Sequence, residues 1–263
     1  MIATEKTNNS VRIRIQRQDT PEGESYAQDF NVEHRPNSNV ISCLQQIANN
    51  PKTAEGKDVS PVAWDCNCLE EVCGACTMVI NGTARQSCSA LVDELVKAGF
   101  GSDDNPIILE PMSKFPVVRD LFVDRSRMFE NLKKASGWVP IDGMGSLGAG
   151  PKESQAAQTL RYEISRCMTC GCCLEACPQF TKDNDFVGAQ TIAQTLYFNS
   201  HDTGKRLKDE RLDFIEEPGG IADCGNAQNC VEVCPKDVPL THAIAAIGRQ
   251  TTVHAIKKFF MGK

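Results

Sequence analysis

Residues 167 to 178 read CMTCGCCLEACP, which sets Cys167, Cys170, Cys173 and Cys177 at C-x2-C-x2-C-x3-C spacing with Pro178 directly behind. This is a spacing with which thiolates hold iron-sulfur clusters. Fifty-seven residues on, CGNAQNCVEVCP at 224 to 235 aligns with it without gaps, so Cys224, Cys230, Cys234 and Pro235 take the same offsets. The second run is a degenerate internal repeat of the first. At the second ligand offset Ala227 stands opposite Cys170, and a methyl group cannot bind iron.

In two-cluster proteins with such runs, three cysteines of one run hold a cluster whose fourth ligand is the last cysteine of the other. Cys167, Cys170, Cys173 and Cys234 then make a complete set for a 4Fe-4S cluster. Cys177, Cys224 and Cys230 offer three thiolates, which suits a 3Fe-4S cluster lacking one corner iron. A competing reading keeps a fourth iron at that site, bound by water or by Asp223. Cys172 is read as structural, because moving the ligand set onto it breaks the two-residue spacing.

Upstream, Cys68-x4-Cys73-x2-Cys76 with Cys88 beyond it has the plant-type 2Fe-2S spacing. Gly74 and Ala75 are small, as a loop wrapped round a compact core requires, and Cys88 arrives from the far strand of an Asn81-Gly82 hairpin. Zinc is the alternative metal for C-x2-C pairs, but it suits one distant fourth cysteine poorly. Cys66 is read as a bystander, and Cys43 as a small buried apolar residue in a helix.

Length and charge narrow the rest. A chain of 263 residues with 41% hydrophobic content has room for two domains. Its net charge of -6 argues against nucleic acid as a partner. The opening MIATEKTNNS lacks the apolar core of a secretory signal, so the 14 cysteines are read as metal ligands of an intracellular protein. No apolar run approaches the length needed to cross a bilayer.

The pattern of residues 11 to 18, VRIRIQRQ, alternates as a half-buried strand, and a turn at Thr20 to Gly23 leads to a second strand near Tyr26 to Val32. Asn39 to Ile47 has helical spacing, ended by Asn50-Pro51. A hairpin over Thr77 to Ser87 and a strand at Pro106 to Leu109 complete a small mixed sheet of the β-grasp kind. Val117 to Leu132 and Ala156 to Arg166 read as helices, with a Gly-rich linker at 143 to 150 between them. The expected class is α+β: a β-grasp 2Fe-2S ferredoxin-like domain over residues 1–115, then an α-helical two-cluster domain over 116–263.

One plant-type site, one four-cysteine site and one three-cysteine site in this order resemble the iron-sulfur subunit of succinate:quinone oxidoreductases, fumarate reductases included. Matching text includes EEVCGAC (70 to 76), Asn81-Gly82, PVVRDLFVD (116 to 124) and Cys230 to Pro235, and the likeness spans about residues 11 to 250. Cys66 to Cys73 and the ADCGNAQNC segment look most like Gram-positive-type subunits that use a diheme cytochrome b anchor. The resemblance implies a flavoprotein partner whose covalent FAD oxidises succinate. It also implies a membrane anchor with heme b and quinone, and attachment to the cytoplasmic face of the cell membrane. No catalytic residue is expected on this chain.

Ubiquinone-reducing relatives carry a tryptophan and a histidine near the quinone where this chain has Lys182 and Gly225. Menaquinone, bound in the anchor, is therefore the expected acceptor. His242 and His254 are read as helix residues without a ligand role, and Arg119, Arg125 and Arg127 as helix-surface or domain-interface charges. Lys257, Lys258 and Lys263 beside Phe259-Phe260 suit either lipid headgroups or a solvated tail. Three readings compete: a fumarate reductase subunit running in reverse, the ferredoxin-like subunit of another flavoenzyme, and a zinc-stabilised interaction module.

Overall fold

A computed structural model describes residues 10–140 and 152–261; the expected linker at 143 to 150 and Lys263 lie outside the described residues. The chain divides into two compact units, Met1–Asp124 and Arg125–Lys263. The first unit thus extends past the expected boundary at residue 115.

In the first unit, β1 (Ser10–Arg17) pairs antiparallel with β2 (Tyr26–Glu33), and α1 (Val40–Asn49) follows. Asn39 caps α1, its side-chain oxygen accepting from the Ser42 N–H at 2.9 Å. β3 (Thr77–Ile80) and β4 (Thr83–Gln86) form a hairpin whose central Asn81 and Gly82 both have positive φ, 48° and 79°. Two left-handed residues give the turn that matches strand twist, which is why Asn-Gly signals it. After α2 (Val92–Lys97), β5 (Ile107–Glu110) runs parallel to β1 and antiparallel to β3. The sheet order is β2-β1-β5-β3-β4, the β-grasp arrangement.

Alternation on β1 turns Val11, Ile13 and Ile15 into a core shared with Phe30, Leu44, Met78 and Leu109. The same alternation buries Arg17, which is 1% exposed. Its guanidinium meets the fully buried Asp120 at 3.0 and 3.1 Å.

Asp120 corrects one expectation. Val117 to Leu132 is not one helix: β6 (Val117–Arg119) and β7 (Phe122–Val123) pair antiparallel, and only α3 (Ser126–Lys134) is helical. Asp120 has φ 46° in the turn between β6 and β7 and accepts from the Gln18 and Ala63 N–H groups as well as from Arg17. Four hydrogen bonds from outside the segment override its apolar helical spacing.

The second unit is helical. It contains α4 (Gln155–Ser165), α5 (Cys172–Glu175), α6 (Gly188–Ser200), α7 (Lys208–Glu216), α8 (Asn229–Glu232) and α9 (Leu240–Met261). Leu240, Ala243, Ile247 and Thr251 form the buried stripe of α9. Arg211, fully buried, donates to the carbonyls of Ser136, Trp138 and Gly204 and to Asn199 Oδ1, fastening α7 to its neighbours. Among the described residues no helix is long and apolar enough to cross a membrane.

Candidate cluster sites

The loop carrying Cys68, Cys73 and Cys76 is built on positive φ angles at Leu69 (59°), Glu71 (54°) and Gly74 (72°). These turn successive N–H groups inward, as an anion-binding nest does. Cys68 Sγ accepts from the N–H groups of Glu70, Val72 and Cys73 at 3.3 to 3.4 Å, and Cys73 Sγ from that of Ala75 at 3.5 Å. The donors to Cys68 bring its thiol down to about 7. Burial instead pushes Cys76 up to about 12. The loop brings Cys68 against Cys73, and Cys76 meets Cys88 beyond β4. Ser89 Oγ donates to Glu71 Oε1 and fixes the loop's acidic side chain.

The two later runs repeat each other in backbone as well as in cysteines. Shifting α5 by the 57-residue period lands on α8, Thr169 (φ 53°) on Asn226 (52°), and Gly171 (93°) on Gln228 (64°). Even a hydrogen bond recurs: Cys177 N to Leu174 O matches Cys234 N to Val231 O, both at 3.2 Å. The left-handed residues bend each run into a hook that presents sulfurs on its inner side.

Between the hooks lie two cavities, each open in part to solvent. One is lined by Cys167, Cys170, Cys173 and Cys234. The other is lined by Cys177, Cys224 and Cys230, with Ala227 in its wall. Each cavity therefore takes a cysteine from both runs. Desolvation first, then the neighbouring thiols, raises Cys167, Cys173 and Cys230. A hydrogen bond from Cys172 is the main cause that lowers Cys170 to about 7. Groups this crowded and desolvated suit a metal, which binds thiolate and removes the proton. The donor set, all sulfur with inward N–H groups, fits iron-sulfur clusters.

The remaining cysteines and the other residues singled out from the sequence fall as follows. Cys172 is fully buried and lines the four-cysteine cavity beside Cys170. Cys66 packs on the edge of the first unit's core, and Cys43 is buried in α1, its thiol raised to about 12 by desolvation. The Asp223 carboxylate accepts from the Gly219 N–H at 3.0 Å. His254 reaches Asp213 at 2.9 Å, joined there by Lys258 at 2.7 Å, and His242 is exposed.

Two arginines are placed otherwise than expected. Arg125 approaches the Cys170 carbonyl at 3.4 Å. Arg127 donates to the carbonyls of Thr181 (2.6 Å), Asn184 and Phe186 (3.0 Å), and its guanidinium lies 4.2 Å from the Phe180 ring centroid. It thereby holds the loop that follows Cys177. No local signal marks this role, because its partners are more than fifty residues away in sequence.

Comparison with known proteins agrees with this geometry. A family model described as "2Fe-2S iron-sulfur cluster binding domain" matches residues 12–130, and one described as "4Fe-4S dicluster domain" matches residues 163–238. The succinate dehydrogenase iron-sulfur subunit of Bacillus subtilis is 51% identical over 251 residues, which cover 95% of this chain and 96% of that one.

The chain belongs to the family of succinate dehydrogenase iron-sulfur subunits.

Fumarate reductase iron-sulfur subunits stand further off. That of Wolinella succinogenes is 26% identical, covering 85% of this chain and 88% of its own length. A chain of the Mycobacterium smegmatis Sdh1 complex in the apo form superposes with a TM-score of 0.72 at 20% identity, covering 92% of this chain and 95% of that one. The expected α+β class therefore holds, with a sheet-bearing 2Fe-2S domain followed by a helical 4Fe-4S dicluster domain. Like its family, the chain transfers electrons through iron-sulfur domains as part of an oxidoreductase complex.

Proposed function

We propose that this chain passes electrons singly from the FAD of a flavoprotein subunit to a quinone at a membrane anchor. Cys68, Cys73, Cys76 and Cys88 would hold the 2Fe-2S cluster. Cys167, Cys170, Cys173 and Cys234 would hold the 4Fe-4S cluster, and Cys177, Cys224 and Cys230 a 3Fe-4S cluster. When bound, these clusters supply one-electron redox chemistry. The protein's part is to grip them, exclude water and aim N–H groups at sulfur.

The observation that carries the assignment is the exchange of one cysteine between the runs. Cys234 lines the first cavity and Cys177 the second, while the second cavity has Ala227 where a fourth thiol would stand. Asp223 as the fourth ligand is disfavoured by its bond to the Gly219 N–H. Ala227→Cys tests the reading: it should add about one iron per chain and replace the oxidised 3Fe-4S EPR signal by a reduced 4Fe-4S signal. Unchanged iron and an unchanged spectrum would refute the ligand set.

Plant-type 2Fe-2S centres sit near about -400 mV, too reducing to take electrons readily from succinate. Raising one by about 400 mV corresponds to roughly 9 kcal/mol, at about 2.3 kcal/mol per 100 mV. The four N–H···S bonds of the Cys68 loop act in this direction. Each is worth about 1.5–3 kcal/mol. They stabilise both oxidation states, so only the difference raises the potential. Water exclusion by the flavoprotein would act in the same direction.

The 51% identity to a succinate dehydrogenase subunit, against 26% to a fumarate reductase one, favours the direction of succinate oxidation. The likeness of Cys66 to Cys73 and of ADCGNAQNC to Gram-positive-type subunits supports a diheme cytochrome b anchor, with this chain held peripherally at the cytoplasmic face. Menaquinone as the acceptor is supported by Lys182 and Gly225. Extraction of the quinone from the purified complex decides this point: ubiquinone would contradict it.

A further inference from the structure

Gln190 lies in the first turn of α6, is 1% exposed and lines the four-cysteine cavity. Its Oε1 accepts from the Thr191 hydroxyl at 3.2 Å, and its Nε2 is a buried donor with no hydrogen-bond partner in the protein. A buried amide donor left without an acceptor destabilises the fold. A chain that keeps one in the wall of a cavity lined by thiols calls for an acceptor inside that cavity. One helical turn later, the Gln194 side chain comes near Cys167. Residues four apart share a helix face, so the two amides address the same side of the site.

We propose that the Gln190 amide donates an N–H···S hydrogen bond to the 4Fe-4S cluster and raises that cluster's potential. The inference rests on the ligand set proposed above. Reduction adds negative charge that is shared by the sulfurs, so a fixed donor favours the reduced state more than the oxidised one. No proton is transferred. Gln190 is therefore a positioning residue that tunes the middle step of the electron path.

The test uses the assembled complex carrying Gln190→Leu, titrated potentiometrically and followed by EPR. The reduced-to-oxidised ratio of the 4Fe-4S cluster at fixed potential should fall about tenfold, a downward shift of about 59 mV for one electron. Iron content and the potentials of the other two clusters should match the native complex. A full iron complement with an unshifted 4Fe-4S potential overturns the inference and leaves the ligand set standing. A native complex without any 4Fe-4S signal sinks the ligand set instead. If the leucine variant does not assemble, pulsed EPR of the native reduced complex, labelled with nitrogen-15 at glutamine side chains, decides. An amide nitrogen that stays coupled to the cluster in a Gln194→Leu background supports the role of Gln190, and the absence of any coupled glutamine nitrogen overturns it.

Discussion

Asp120→Ala removes the acceptor of a buried cation. Asp120 is 0% and Arg17 1% exposed, and the carboxylate takes two bonds from the guanidinium (3.0 and 3.1 Å), one from Gln18 N (3.2 Å) and one from Ala63 N (2.8 Å). Arg17 retains Gln28 Oε1, Ser60 and the Pro61 carbonyl, so some of its hydrogen bonds survive while its charge does not stay compensated. Breaking a buried pair from one side costs about 3–5 kcal/mol. For a domain of this size that is a fall of about 12–20 °C in Tm. Because Ser60 to Ala63 leads into the Cys68 loop, the loss should be read by the visible circular dichroism of the 2Fe-2S cluster during heating of the complex. The double variant Arg17→Met with Asp120→Leu should recover most of the loss, since apolar replacement of a buried pair is often neutral. A single variant melting within about 3 °C of native, or a double variant as unstable as the single, would refute the argument.

Arg127→Lys keeps the charge but cannot span three carbonyls, and each one left bare costs about 1–3 kcal/mol. The 3Fe-4S signal should be lost at lower temperature than the 4Fe-4S signal, and equal loss of both would argue that Arg127 does not act through the loop after Cys177. Gly188→Ala puts a Cβ 2.0 Å from Leu174 Cδ2 at φ +79°. It should destabilise the second unit by about 2–4 kcal/mol, measured by thermal bleaching of the cluster absorbance, and native-like bleaching would contradict the close approach of α5 and α6. Cys43→Ala, Cys66→Ser and Cys172→Ala should each retain the native iron content, whereas Cys173→Ala should lose one cluster; iron loss from any of the first three would return that residue to the ligand set.

The grouping of the cysteines was legible because it is written in local spacing. The 57-residue period even carried over to backbone angles at Thr169 and Asn226. The sheet was legible for a similar reason, since alternation on β1 and the Asn81-Gly82 turn are short-range signals. What escaped the sequence was set by distant partners. Val117 to Val123 has apolar residues at helical spacing, yet a hairpin forms because Asp120 must reach Arg17, more than a hundred positions away. Arg127 and Gln190 likewise look like ordinary helix residues until the loop after Cys177 and the cavity wall are in place. Burial of polar groups against remote carbonyls or sulfurs has no local signature.

The most direct test of the central claim is quantitative EPR with iron analysis on the anaerobically purified complex, oxidised and then reduced with dithionite. This chain should hold about nine non-heme iron atoms, as one 2Fe-2S, one 4Fe-4S and one 3Fe-4S cluster require, with the 3Fe-4S signal present only on oxidation. Stoichiometric zinc, or about ten irons with no oxidised 3Fe-4S signal, would contradict it.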